Sequence, residues 1–213
     1  MEPYIDLHTH ELNPDEDVIS VFNLLLNETS GIPEGPFTAG LHPWYADQLS
    51  PELLSGKLDY FAQNSRMLAF GETGLDAVCE VPLQLQKEVF ELHLSKASEY
   101  NKPLIIHCVK AWEEVIEQAS NYQVIKILHG YNGSPELTGR LVKSGFYFSV
   151  GKAIMNPASK IHASLDRIPV NRLFCETDTS GFPIRAIYER VSAELHLKEE
   201  ELRNIIFRNY SRL

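Results

Sequence analysis

No stretch of this sequence reaches the roughly 18 consecutive apolar residues that a membrane-spanning helix needs. The first residues, Met1-Glu2-Pro3-Tyr4-Ile5-Asp6, offer neither the basic nor the apolar region of a signal peptide. Cysteine is scarce. Cys79, Cys108 and Cys175 make an odd number without a C-x-x-C pair, which argues against a disulfide framework and excludes a thiolate zinc knot. The expected compartment is therefore a reducing cytoplasm, with no membrane partner. There is no internal repeat, no low-complexity tract and no run of Lys and Arg. What is present is ordinary globular composition, 44% apolar and 23% charged over 213 residues, which excludes a collagen-like, rod-like or disordered chain and suits one domain spanning 1–213.

Charge is unevenly placed. The net charge is −10, and residues 1–60 alone account for it, with eleven Asp and Glu against a single Lys57. Tight duplex binding draws on neutralised phosphates, so no tight binding to duplex DNA is expected. An acidic segment of this kind solvates a surface and attracts cations.

Short apolar runs alternate with longer amphipathic stretches. Strands are expected at Tyr4–His8, Val18–Leu24, Phe37–His42, Met67–Glu72, Leu104–His107, Val124–His129, Phe146–Val150 and Arg172–Glu176. Helices are expected at Pro82–Tyr100, Lys110–Asn121, Ser134–Ser144, Pro157–Arg167, Glu189–His196 and Lys198–Tyr210. Ser134-Pro135 reads as a cap and first turn, and Gly145 as the residue closing that helix. The alternation predicts an α/β chain, a (β/α)8 TIM-type barrel. It is trimmed: Glu11–Asp17, with Pro14 and four acids, is too short for a crossover helix, so the first one is reduced to a loop.

Four of the eight histidines fall at predicted strand ends. His8 and His10 are two apart, and a period of two sets both on one face. His107 and His129 end later strands, as does Glu72, while Asp178 follows the last one. In such barrels the C-terminal strand ends build the site. Gathering four imidazoles and two carboxylates there is unfavourable without a compensating partner. A dinuclear metal centre supplies one, and nitrogen and oxygen ligands without sulfur suit zinc, manganese or iron.

The order His8-Thr9-His10, Gly71-Glu72-Thr73-Gly74-Leu75-Asp76, Ile105-Ile106-His107, Leu128-His129-Gly130 and Glu176-Thr177-Asp178 resembles the TatD family of metal-dependent hydrolases and deoxyribonucleases, within the amidohydrolase superfamily. Gly40-Leu41-His42-Pro43 and the Gln86 to Phe90 stretch are similar to further family segments. The resemblance implies two divalent ions, zinc first and manganese or magnesium as alternatives. His8, His10, Glu72 and Asp178 would hold one ion and Glu72, His107 and His129 the other, with Glu72 bridging. The substrate side differs, with Cys108-Val109-Lys110 after His107 and Gly130-Tyr131-Asn132-Gly133 after His129.

The expected activity is hydrolysis of ester bonds, phosphodiesters or phosphomonoesters, by a metal-activated hydroxide, with Glu72 and Asp178 catalytic and Asp178 taking the proton. His42, Lys110 and Arg185 are candidate substrate contacts, and Lys152 a further cation for phosphate. Small phosphoesters or nucleic-acid ends are the expected substrates. Two alternatives stay open. One is a phosphoesterase of the histidinol-phosphatase type, which also opens on D-L-H-T-H. The other is a non-catalytic, metal-stabilised scaffold.

Overall fold

The computed structural model describes residues 2–28 and 31–213. Eight strands follow one another in chain order in a single sheet: β1 (Tyr4–Thr9), β2 (Val18–Leu25), β3 (Phe37–Gly40), β4 (Met67–Asp76), β5 (Leu104–Val109), β6 (Lys126–Leu128), β7 (Tyr147–Val150) and β8 (Leu173–Cys175). The helices are α1 (Pro51–Ala62), α2 (Leu83–Glu99), α3 (Trp112–Ser120), α4 (Pro135–Lys143), α5 (Ile184–Glu194) and α6 (Glu199–Tyr210). This is the TIM-type (β/α)8 class. As the sequence predicts, β1 and β2 are joined by a loop without a helix. No helix among the described residues is long and apolar enough to cross a membrane.

The chain divides into two compact units, residues 1–22 with 128–213, and residues 23–127. In the first, β1 pairs in parallel with the start of β2, and β7 with β8. Ile5, Leu7, Phe148, Phe174, Val191 and Ile206 are among its fully buried side chains, each contributing roughly 1.5–3 kcal/mol by leaving water. The acidic β1–β2 loop is tied down rather than simply solvated. Arg203 reaches Asp17 at 3.0 Å, and Arg185 reaches Asp15 at 2.7 Å and Asp17 at 3.3 Å. Both guanidinium groups also lie over the Tyr4 ring, at 3.9 and 4.4 Å from its centroid. An arginine stacks well on an aromatic face, so α5 and α6 clamp the start of β1.

In the second unit β3, β4 and β5 pair in parallel. α2 presents a continuous buried stripe, Gln86, Val89, Phe90, His93, Leu94 and Ala97, at helical spacing. Two of those residues are polar, and both are spent on the site. Gly74 has φ of +142°, and a Cβ there would sit 2.1 Å from the His107 carbonyl oxygen. Only glycine lets β4 run this close to β5.

Two elements differ from expectation. The sequence reading assigns no helix to 51–62, yet α1 forms there. Ser50 caps it by accepting the Leu53 N–H at 3.3 Å, Pro51 opens it, and Leu54 and Leu58 bury one face. Conversely, Pro157–Arg167 is not an α-helix but two 3-10 turns, Lys160–Ala163 and Leu165–Arg167. Ser164 explains the break. Its buried hydroxyl donates to Gly133 O at 3.0 Å, and its N–H closes a tight turn onto Ile161 O. Serine competes with the helical ladder in this way.

His93 gives the fold a pH dependence of known sign. Its Nδ1 donates to Val89 O at 2.8 Å and its Nε2 accepts the Leu41 N–H at 3.1 Å, so the ring is held neutral. Complete burial lowers its pKa from 6.5 to about 4. The unfolded chain then binds more protons than the native one between those values. The stability this histidine contributes is full above about 6.5 and is lost as pH falls toward 4, by roughly 3 kcal/mol in all. Asp6, raised by burial to about 7, acts in the opposite sense between 3.8 and 7. Urea unfolding at pH 7.5 and pH 4.5 should therefore be compared with His93→Gln. The variant should lose less stability between the two conditions than the native chain; an equal loss would place the proton elsewhere.

Candidate metal centre

In the first unit the ends of β1, β6 and β8 bring His8, His10, His129 and Asp178 together. The strand register slips by one residue between Asp6 and Thr9, a bulge at Leu7-His8. A bulge of this kind re-aims a side chain next to a site. The His8 Nε2 lies 3.9 Å from Asp178 Oδ1, and His10 Nε2 lies 3.7 Å from the same oxygen. The His8 and His129 rings face each other with centroids 4.4 Å apart. One ligand atom each from His8, His129 and Asp178 falls within 4.8 Å of the others.

Asp178 stands three residues past β8 with φ of +53°, in the left-handed region that aspartate tolerates better than most side chains. Its N–H donates to His8 O at 2.9 Å, and Thr9 and Asp178 form a parallel bridge. The preceding Thr177 is held by Asp6, which accepts its N–H at 2.8 Å and its hydroxyl at 2.6 Å. Asp6 thus fixes the turn that presents Asp178. Glu176 is fully buried, and its Oε1 accepts the Gly130 N–H at 2.5 Å and lies 3.3 Å from His129 Nδ1.

In the second unit the constellation is His42, Glu72 and His107, again with one ligand atom each within 4.8 Å. β4 carries its own one-residue bulge between Phe70 and Thr73, so Gly71-Glu72 is set out of the regular ladder. Glu72 Oε1 lies 2.9 Å from His107 Nδ1 and 3.2 Å from His42 Nε2. Asn23 pins the other end. Its Nδ2 donates to Glu72 Oε2 at 3.2 Å, and its Oδ1 accepts the Glu72 N–H at 3.0 Å. His42 follows β3 by two residues and caps the 3-10 turn Pro43–Tyr45, its Nδ1 accepting the Trp44 N–H at 3.1 Å.

Asp76, at the end of β4, lies 3.3 Å from His107 Nε2. A carboxylate on the far nitrogen of a ligating imidazole sets its tautomer and orientation. Burial pushes the Asp76 carboxyl up, but the Trp44 indole at 2.7 Å, the Val78 N–H and His107 together hold it below its ordinary value. α2 fixes both neighbours of this imidazole. Gln86 accepts the Asp76 N–H at 2.7 Å and donates to Asp76 O at 3.0 Å, while His93 holds the backbone just before His42.

Each of the six expected ligands lies in one of these two sets, and His42, expected as a substrate contact, lies against Glu72. Lys152, a further cation named for phosphate, reaches Asp178 Oδ2 at 3.6 Å. Lys110 is exposed and one residue past β5, with φ of +53°. Arg185 is engaged by Asp15, Asp17 and the Tyr4 ring. Asp76 and Glu176 received no role from the sequence. Their positions four residues after Glu72 and two before Asp178 were the available signal, since an even spacing along an extended chain keeps one face.

The donor chemistry fits divalent metal. Both sets combine imidazole nitrogen with carboxylate oxygen, and no thiol enters either. Cys108 and Cys175 are free thiols, both pushed up by burial, Cys108 to about 12. Two cavities open beside Asp178. One of about 400 Å³ is lined by His10, Leu12 and Phe182 among others, and one of about 300 Å³ by Asn132, Lys152 and Glu176 among others.

Residues 21–213 match the family model described as TatD related DNase. An uncharacterized metal-dependent hydrolase of Buchnera aphidicola is 29% identical over 79% of this chain and 66% of its own length. The YabD protein of Bacillus subtilis, also named as an uncharacterized metal-dependent hydrolase, is 30% identical over 82% of this chain and 75% of its own. The human protein TATDN2, named as a 3'-5' RNA nuclease, is 32% identical over 74% of this chain and 22% of its own. Among solved structures, the TatD homolog YJJV of Escherichia coli superposes with a TM-score of 0.79 at 21% identity, covering 97% of this chain and 95% of that one. A TatD family hydrolase of Entamoeba histolytica gives 0.76 at 14% identity over 98% and 96%. With the family model spanning most of its length, this chain belongs to the TatD-related family, among whose members are proteins named as metal-dependent hydrolases.

Proposed function

We propose that the chain is a metal-dependent hydrolase of phosphodiester or phosphomonoester bonds, acting on small phosphoesters or nucleic-acid ends in a reducing cytoplasm. The observation that carries this reading is the convergence of His8, His129 and Asp178, matched by His42, Glu72 and His107 in the second unit. Those residues, with His10, would hold two divalent ions, zinc first. Bound there, the ions would supply Lewis acidity toward a phosphoryl oxygen and a lowered pKa for water. The chain's own residues do the rest. Asp178 accepts the proton of the attacking water, and Lys152 beside it draws in the anionic substrate. Asp76 keeps His107 in one tautomer, and Asn23 keeps Glu72 aimed at the imidazoles.

The test is elemental analysis of the purified protein followed by a panel of phosphodiesters, phosphomonoesters and short oligonucleotides. Two ions per chain and turnover of a phosphoester support the reading. Metal without turnover of any of them would favour the scaffold alternative.

A companion expectation concerns duplex DNA. Arg185 and Arg203 are already engaged by Asp15 and Asp17, which withdraws two cations from phosphate. Duplex binding titrated from low to physiological salt should be weak with a shallow slope. A nanomolar dissociation constant with a steep slope would contradict it.

A further inference from the structure

Singly exposed apolar side chains are ordinary on a protein surface. Trp44, in the second unit, differs from them because it is 53% exposed and yet fixed at both ends. Its backbone N–H donates to His42 Nδ1 at 3.1 Å, in the 3-10 turn Pro43–Tyr45. Its indole N–H donates to Asp76 Oδ2 at 2.7 Å. Both partners belong to the candidate metal centre. His42 Nε2 lies 3.2 Å from Glu72 Oε1, and the same Asp76 oxygen lies 3.3 Å from His107 Nε2. The indole also meets the His42 ring edge to face, with centroids 4.9 Å apart. The ring is thus carried at the side of His42, Glu72 and His107.

The chemistry that Trp44 can offer a ligand is narrow. Indole has a single donor and no acceptor, and Asp76 takes that donor. Asp76 itself is 2% exposed, and its Oδ1 accepts the Val78 N–H at 2.9 Å, so its other oxygen is occupied as well. What Trp44 leaves open to solvent is the carbon framework of a flat ring. Val78, 60% exposed, is set next to Asp76 by that same bond and adds an aliphatic group. A flat apolar face attracts another ring by stacking, whatever the pattern of donors and acceptors on that ring's edge. Because the indole is held before any ligand arrives, little side-chain freedom is lost on contact.

We infer that Trp44 determines specificity at this centre: it is a stacking platform that favours phosphoesters carrying a planar ring, selected by ring area and not by hydrogen-bond pattern. The inference deepens the proposed hydrolase reading and rests on His42, Glu72 and His107 forming one of its metal seats. Binding of phosphonates to the metal-loaded protein tests it without turnover, since their P–C bond is not an ester. Calorimetry compares methyl-, cyclohexyl-, phenyl- and 1-naphthylphosphonate. The naphthyl compound should bind at least about tenfold more tightly than the methyl compound, with the non-planar cyclohexyl compound weaker than phenyl. In Trp44→Leu the naphthyl affinity should fall about tenfold while the methyl affinity stays within about twofold. Trp44→Phe, which keeps a ring but lacks the donor to Asp76, should lie between the two. In Trp112→Phe, where Trp44 is the single indole, its emission should change on adding phenylphosphonate and stay constant with methylphosphonate.

Equal affinity across the series, or the same ring preference in Trp44→Leu as in the parent, overturns the inference. A fall for methylphosphonate as large as that for naphthylphosphonate also overturns it, since Trp44 would then act only through Asp76 on the metal seat. The 5'-phosphonates of uridine and cytidine, equal in ring area and different at their edges, should bind alike; a clear preference for one refutes selection by area. If both bind more tightly than phenylphosphonate, the ring belongs to a nucleotide end; if more weakly, to a small aryl ester. Either result keeps the stacking contact. Turnover without any ring preference would sink this inference alone. Ring preference without turnover of any ester would instead sink the hydrolase reading.

Discussion

Glu72→Gln is expected to lose metal and activity together while the protein stays folded. The change is nearly isosteric and removes one charge from a residue that is 3% exposed. Its consequence follows from Asn23. The Asn23 Oδ1 accepts the Glu72 N–H and the Thr38 hydroxyl, at 3.0 and 3.2 Å, so its Nδ2 must face the residue 72 side chain. A carboxylate meets that donor with Oε2 and still presents Oε1 to His42 and His107. A glutamine must turn its carbonyl to Asn23 and its NH2 to the two imidazoles. The cation seat then gains two hydrogens and loses a negative charge. We expect metal affinity to fall by roughly 100-fold and turnover by at least as much, with a melting temperature of the metal-free protein within a few degrees of the parent. Elemental analysis and phosphoester turnover on the same preparation check it. Full metal content with undiminished turnover would remove Glu72 from the centre.

The candidate ligand residues are legible because strands have a period of two and because histidines rarely stand at several strand ends together. His8 and His10, His107 and His129 follow that rule directly. The features that aim them were not legible. The bulges at Leu7-His8 and Gly71-Glu72 insert a residue without any local signature that separates them from regular strand. Asp76 and Glu176 were hidden for another reason. An acid at a strand end is ordinarily a cap for the next helix, and only long-range contacts, to His107 in one case and to Gly130 and His129 in the other, reveal a second use. Arg185 shows the same dependence on the fold. Its partners Asp15 and Asp17 lie about 170 residues earlier in the chain, so its charge looked available until the fold placed it. Helix α1 is different again, since its Ser50-Pro51 start and its Leu54, Leu58 face are local signals.

Asp178→Asn should separate chemistry from architecture more sharply than any other change in this chain. Asparagine tolerates the left-handed φ of +53° as well as aspartate does. The Asp178 N–H to His8 O bond and the Asp6 clamp on Thr177 do not involve the altered atom. The variant should therefore fold with unchanged stability, whereas Asp178→Ala should be less stable by about 1 kcal/mol for its backbone alone. Turnover is another matter. The carboxylate lies 3.7 and 3.9 Å from two imidazoles and 3.6 Å from the Lys152 ammonium, and in the proposed reaction it accepts the proton of the attacking water. An amide cannot accept that proton. Proton transfer of this kind contributes roughly 100- to 10,000-fold, so kcat should fall by about 1,000-fold. Substrate affinity should hold or improve, because a negative charge has left the neighbourhood of an anionic ester and Lys152 is freed toward it. A fall in kcat with unchanged or lower KM marks a group that acts in the transition state rather than in binding. A kcat within tenfold of the parent, measured at full metal occupancy, would assign proton acceptance to another residue.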